Sequence, residues 1–232
     1  MNLDFDPATH TYTIDGVTVP SVTQIVSPLG DDYDEPDEFT ERSVDAAAER
    51  GTLLHDYIAF RLQGGVPEEH EMPDAYEPHK RAVNDFLAEH TIIPYAVEQR
   101  VTNGVVAGTP DLVCEYDGEL AILDYKFVSS VAKSKVCAQL GGYLQLLEAN
   151  DIYPGELYAV QFLPDDYRVY PVNPDDAERM WSRHGSSTKR KYISTRAGAS
   201  EKGSFIDESL RKASVHSARR RPHHQGRREQ ER

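Results

Sequence analysis

The chain is poor in cysteine: its 232 residues hold two, Cys114 and Cys137. Two thiols cannot build a four-cysteine zinc site, a thiolate-held iron–sulfur cluster or a disulfide framework. Both are expected to be small packing side chains of a reducing compartment. Long apolar runs are missing too, and nothing approaches the ~20 residues of a membrane-spanning helix. The opening MNLDFDPATHTYTIDG carries neither a basic nor an apolar leader segment, which predicts a cytoplasmic protein without membrane contact. A G-x-x-x-x-G-K-[ST] phosphate loop is absent, so any ATP-driven step must come from another chain. The sequence has no internal repeat.

Positive charge is scarce over most of the chain and crowded at its end. Residues 183–232 hold 14 Lys and Arg against 5 acids, a net charge of +9. Residues 1–182 hold 11 bases against 34 acids, a net charge of −23. An acidic body is a poor partner for nucleic acid unless bound cations or the basic tail offset the repulsion. Residues 185–232 are rich in Ser, Gly, Arg and His and lack apolar periodicity, which predicts disorder over most of that stretch, with a short helical segment in SFIDESLRKAS. The division is therefore a folded domain over 1–182 and a basic tail over 183–232.

Within the domain, TYTIDGVTVP alternates around Asp15-Gly16 and predicts a hairpin. Ser21 is placed to cap a short helix, and the acidic, Pro- and Gly-containing stretch 28–41 reads as a loop. Helices are expected from Ser43, as cap, to Gln63, and from about Ala75 to Glu89. The period then changes to two, with strands over 95–101, 105–116 and 119–128, the last two joined by Asp117-Gly118. A helix over about 134–149 and strands over 156–163 and 167–172 follow. That order, helices then strands then helix then strand pair, predicts an α/β fold with a central mixed sheet flanked by helices, preceded by an N-terminal hairpin. Residues 1–90 form the hairpin and helices, and 91–172 the core.

Three charged residues sit where a core strand should be apolar. Side chains alternate faces along a strand, so Asp124 and Lys126 share a face about 6.6 Å apart. Asp111 lies on the neighbouring strand and can face Asp124. Converging carboxylates repel unless a cation lies between them, and a hard divalent metal suits oxygen ligands. A lysine beside them can orient water or stabilise charge developing on a phosphoryl oxygen. The constellation suits metal-assisted phosphodiester hydrolysis. Each residue also has a plain alternative: Asp111 as a turn residue, Asp124 and Lys126 as an edge-strand ion pair, and Glu98 as a solvated strand residue.

GTPDLV at 108–113 followed by ILDYKF at 122–127 resembles the PD-(D/E)XK nuclease signature. ERGTLLHDYI at 49–58 resembles the G-x-x-x-H helix of RecB-type nucleases, and AQLGGYLQLL at 138–147 their Q-x-x-x-Y helix. The opening YTIDGVTVPSVTQI resembles phage-encoded members. The resemblance covers roughly residues 43–163. It implies a restriction-endonuclease-like core, with His55, Asp111, Asp124 and the Tyr125 carbonyl as metal ligands and Lys126 as the catalytic lysine. Gln139 and Tyr143, one helical turn apart, would contact DNA or brace the site. Glu98 would bind a second metal or position a metal-bound water. The cofactor would be Mg²⁺ or Mn²⁺, and the cysteines of iron–sulfur relatives are absent. The activity implied is a metal-dependent deoxyribonuclease, an exonuclease of phage-type DNA recombination and processing, with DNA as substrate. A single-strand annealing protein or a helicase would be its partner. A structure-specific endonuclease and a non-cleaving DNA-end or partner-binding protein remain alternatives.

Overall fold

The computed structural model describes residues 2–30 and 41–193. Residues 31–40 of the loop expected over 28–41, the helical segment in 204–214 and the part of the expected disorder from residue 194 onward lie outside them. Three short strands open the chain: β1 (Leu3–Asp6), β2 (Thr11–Ile14) and β3 (Val17–Val19), in one antiparallel sheet. The predicted hairpin is β2–β3, turned by Asp15 and Gly16 at φ 51° and 78°. Strand β1 was not expected, since only Leu3 and Phe5 alternate with Asp4 and Asp6; its pairing with β2 completes the sheet. Helix α1 (Val22–Val26) starts on Ser21, whose hydroxyl accepts from the Gln24 N–H while the Gln24 side chain accepts from the Ser21 N–H, a reciprocal cap.

Helix α2 (Glu41–Leu62) begins before Ser43, which is therefore interior and not the cap. Helix α3 (Glu77–Glu89) follows a short 3-10 turn at Asp74–Tyr76. Next come β4 (Ile92–Val97), β5 (Val101–Thr102), β6 (Ala107–Gly108), β7 (Leu112–Tyr116) and β8 (Glu119–Lys126). The strand expected over 105–116 is two: Thr109-Pro110-Asp111 interrupts it, because proline has no N–H for the ladder. The short β6 pairs with β5, while β7 joins the main sheet. Helix α4 (Lys133–Glu148) crosses over to β9 (Glu156–Leu163), which turns into β10 (Asp166–Val172).

The central sheet runs β10-β9-β8-β7-β4, with β8–β9 parallel and its other pairs antiparallel. Alternation along the strands sends Val113, Ile122, Leu157 and Ala159 into one core with α4 and Leu112, Leu123, Tyr125, Val160 and Phe162 into another with α2 and α3. Cys114 is buried in the second and Cys137 is half-buried.

The chain then forms a helix where the basic tail was expected to begin. Helix α5 (Pro174–Ile193) is started by Asn173, whose side chain accepts from the Asp176 N–H at 3.2 Å. Ala177 and Trp181, one turn apart, are buried in the α4 core, and Trp181 Nε1 donates to Gln145 at 2.9 Å. Glycine on α4 allows this contact: a Cβ on Gly141 would lie 2.1 Å from the Ala177 carbonyl oxygen. Among the described residues no helix is long and apolar enough to cross a membrane.

Candidate functional site

The site forms where β7 begins and β8 ends. The last paired residues there are Leu112 and Leu123, so Asp111 and Asp124 come next, side by side. Asp111 is held by its neighbour strand: its Oδ2 accepts from the Tyr125 N–H at 2.7 Å. Only the main chain of Tyr125 is at this end of the site's carboxylates, its side chain being buried in the core beneath α2 and α3.

Asp124 is 1% exposed. Its Oδ2 stands 2.6 Å from Lys126 Nζ, and its Oδ1 accepts from Gln139 Nε2 at 3.0 Å. The same Gln139 nitrogen donates to the Tyr143 hydroxyl at 3.1 Å, and Gln139 Oε1 accepts from Lys126 at 3.4 Å. Gln139 thus contacts all three of Asp124, Lys126 and Tyr143, as a brace. Tyr143 in turn lies against Gly108, where a Cβ would meet its ring at 2.9 Å. Glycine at that position lets the helix close on the strand.

His55 reaches the other flank from α2. Its Nδ1 is 3.6 Å from Glu98 Oε1 and 3.9 Å from Asp111 Oδ1, and its ring stands edge-on to Phe127 at 5.3 Å. Glu98 is not in mid-strand as expected. Strand β4 ends at Val97, and Glu98 has a left-handed φ of 47°, its N–H bonded to the Asp111 carbonyl at 2.9 Å. That turn aims its carboxylate at the site, where a strand residue would alternate past it.

Charge and burial work against each other here. Burial, the largest influence, and the Asp111 charge push the Asp124 carboxyl upward, and Lys126 only partly offsets them. Burial likewise raises Glu98, with Asp111 adding to it and His55 opposing. Burial and then the two aspartates hold the Tyr143 phenol far above its usual range, so it is a neutral hydroxyl.

Among the described residues no three His, Cys, Asp or Glu side chains stand together closely enough to hold a metal ion. The donor chemistry nevertheless fits a hard divalent cation. Asp124 Oδ2 is buried and accepts no well-directed hydrogen bond, and its carboxylate, crowded by Asp111, stands against Lys126. Carboxylates, one imidazole and a main-chain carbonyl are the ligand types such ions take.

The catalytic-type residues line one side of a cleft of about 280 Å³. The opposite side is the N-terminal sheet and the start of α1: Phe5, His10, Tyr12, Ser21 and Thr23. The Tyr12 hydroxyl shares a 2.7 Å hydrogen bond with Thr109, tying the two sides together. Reading the sequence by local pattern did not find this second wall. Its only signal was the aromatic and histidine content of FDPATHTY, which means nothing until the sheet docks.

No protein-family profile matches the chain. No curated protein matches it either. Among solved structures, the crystal structure of SSO0001 is similar with a TM-score of 0.33 and 16% identity, over 75% of this chain and 76% of that one. A likeness that loose defines neither a fold family nor an activity; the coordinates by themselves give a mixed α/β protein with a five-stranded central sheet flanked by helices.

Proposed function

We propose that this protein is a divalent-metal-dependent deoxyribonuclease of the PD-(D/E)XK type, with a restriction-endonuclease-like core, acting as an exonuclease in DNA recombination or processing. The observation that carries the reading is the meeting of Asp111, Asp124 and Lys126 on one cleft wall, with Gln139 touching both Asp124 and Lys126. Asp111, Asp124, His55 and the Tyr125 carbonyl would hold Mg²⁺ or Mn²⁺, with Glu98 beside them. The ion would supply Lewis-acid activation of water and charge neutralisation at the phosphate.

The chain's own part is positioning. Tyr125 N–H fixes the Asp111 carboxylate, and Gln139 fixes that of Asp124. Among the described residues that line the cleft, Lys126 carries the ammonium. Released from Asp124 toward Gln139 Oε1, it can orient the attacking water and stabilise negative charge on the phosphoryl oxygens. The aromatic packing of His55 against Phe127 and Tyr125 keeps its ring beside the carboxylates.

The test uses end-labelled linear duplex and closed circular DNA with Mn²⁺ or EDTA. Metal-dependent loss of the linear form alone is the expected result; nicking of the circle makes the protein an endonuclease. Lys126→Ala should abolish cleavage and leave Mn²⁺ binding nearly intact by calorimetry, and full activity in that variant would sink the assignment. The 2.6 Å contact between Asp124 and Lys126 favours a second reading, a DNA-end or partner-binding protein that does not cut. Retarded but uncut DNA in every metal would select it.

A further inference from the structure

The second wall of the cleft has no role in the chemistry described so far. It is built with some precision. The Asp6 carboxylate accepts from the Ala8 N–H at 3.0 Å and from the Thr9 hydroxyl at 2.7 Å, closing the β1–β2 loop. His10 leaves that loop with a left-handed φ of 49°. Its ring stands edge-on to Phe5 at 6.0 Å and 88°, and Phe5 packs on Tyr12 at 4.6 Å. The guanidinium of Arg100, two residues beyond Glu98, lies over the Phe5 ring at 5.4 Å.

Cations are scarce in this acidic body, and those near the site are occupied. Lys126 faces Asp124, and Arg50 donates through Nε and Nη2 to the Phe127 carbonyl at 3.1 and 2.7 Å. Arg100 is exposed, and among the described residues it pairs with no carboxylate. Its positive charge reaches the Tyr12 phenol, which lines the cleft. A surface arginine on a ring is ordinary in itself. What distinguishes this one is that the ring beneath it, Phe5, lines the same cleft as Lys126. The contact with the ring seats the guanidinium beside the cleft, and its planar fork of N–H donors suits bidentate phosphate recognition.

We infer that Arg100, seated on Phe5, is a phosphate clamp: with the His10 ring N–H, it holds the phosphodiester adjoining the one presented to Asp111 and Lys126. The inference rests on the nuclease reading for its substrate, a nucleic-acid strand. It makes Arg100 a positioning residue and gives the N-terminal sheet the task of guiding the strand past the carboxylates.

The test is binding of a short fluorescein-labelled single strand and its duplex to the full-length protein, by anisotropy in Ca²⁺ over a range of salt. Arg100→Ala should weaken binding roughly 5–20-fold at low salt, as loss of one exposed charge-assisted contact. It should also lower the slope of log K against log salt by ~0.7 on the single strand and ~0.9 on the duplex. Arg100→Lys should keep the slope but bind several-fold more weakly, lacking the stacked fork. Phe5→Leu, which keeps apolar packing on Tyr12 without the flat ring, should do the same. Arg168→Ala, on the edge strand β10 beside Asp166, should change neither quantity. An unchanged slope in Arg100→Ala, or a wild type that binds neither probe, overturns the clamp. Cleavage is scored separately: a wild type that binds with an Arg100-dependent slope but never cuts keeps the clamp and loses the nuclease, and one that cuts while Arg100→Ala leaves the slope unchanged does the reverse.

Discussion

Asp124→Asn should make the metal-free protein more stable at pH 8, although it removes half of a buried ion pair. Breaking such a pair ordinarily costs stability. Here the carboxyl is 1% exposed and next to Asp111, and its pKa in the fold, with Lys126 already included, is pushed up to about 6. A carboxyl raised in the folded state binds its proton more tightly there than when unfolded. The stability it carries is full below the unfolded value and is lost as pH rises through the folded one. At pH 8 ionised Asp124 is therefore a net burden. Asparagine keeps the acceptor for Gln139 Nε2 and removes the charge, while Lys126 can turn toward Gln139 Oε1, 3.4 Å away. With each tenfold worth ~1.36 kcal/mol, and some loss where the new amide faces the lysine, the gain is about 1–3 kcal/mol. That corresponds to roughly 2–10 °C in melting temperature for a domain of this size. The assay is thermal unfolding in EDTA from pH 4 to pH 8, then with Mn²⁺. The advantage should shrink to about 0.5 kcal/mol by pH 4, where wild-type Asp124 is protonated in the fold and about half protonated when unfolded, its ordinary value being 3.8. In Mn²⁺ at a thousandfold excess over its dissociation constant the order should reverse, because wild type gains about 4.1 kcal/mol and the variant does not. An Asp124→Asn protein less stable than wild type in EDTA at pH 8 would refute the reasoning: the pair with Lys126 would then be a structural asset, and the crowding of carboxylates no sign of an absent cation.

Two further outcomes follow from the brace and from the helix contact behind it. Gln139→Leu leaves the buried Asp124 Oδ1 without its donor and should cost about 1.5–3 kcal/mol in urea unfolding. The proposed cleavage should fall with it, and wild-type stability and cleavage in that variant would show the brace to be incidental. Gly141→Ala sets a methyl 2.1 Å from the Ala177 carbonyl oxygen, so α5 must shift; the cost should be about 1–3 kcal/mol or more. A neutral result in urea would mean that α4 and α5 are not packed this closely.

What the sequence determined by itself is what depends on neighbours in the chain. Asp117-Gly118 turns β7 into β8 because both residues take positive φ, at 47° and 96°. Ser21 and Gln24 cap α1 across three residues. Alternation in ILDYKF puts Asp124 and Lys126 on the face toward α4, and the four-residue spacing of Gln139 and Tyr143 puts them together on that helix. Those periodicities arise from strand and helix geometry alone, so they can be read before any fold is known. Tertiary structure decided the rest. Glu98 turns toward the site only because β4 ends at Val97 and the Glu98 N–H meets the Asp111 carbonyl. Helix α5 continues into residues whose polar, basic composition argues against a helix because Ala177 and Trp181 find a core on α4. The N-terminal sheet becomes a cleft wall through one bridge between Ser21 and Ala107 and the Tyr12–Thr109 hydrogen bond, the latter spanning 97 residues. Contacts between residues that distant leave no period in the chain. They exist only after loop closure has been offset by burial, and so the partners of Asp111, Asp124 and Lys126 could be anticipated one by one, but the cleft they face could not.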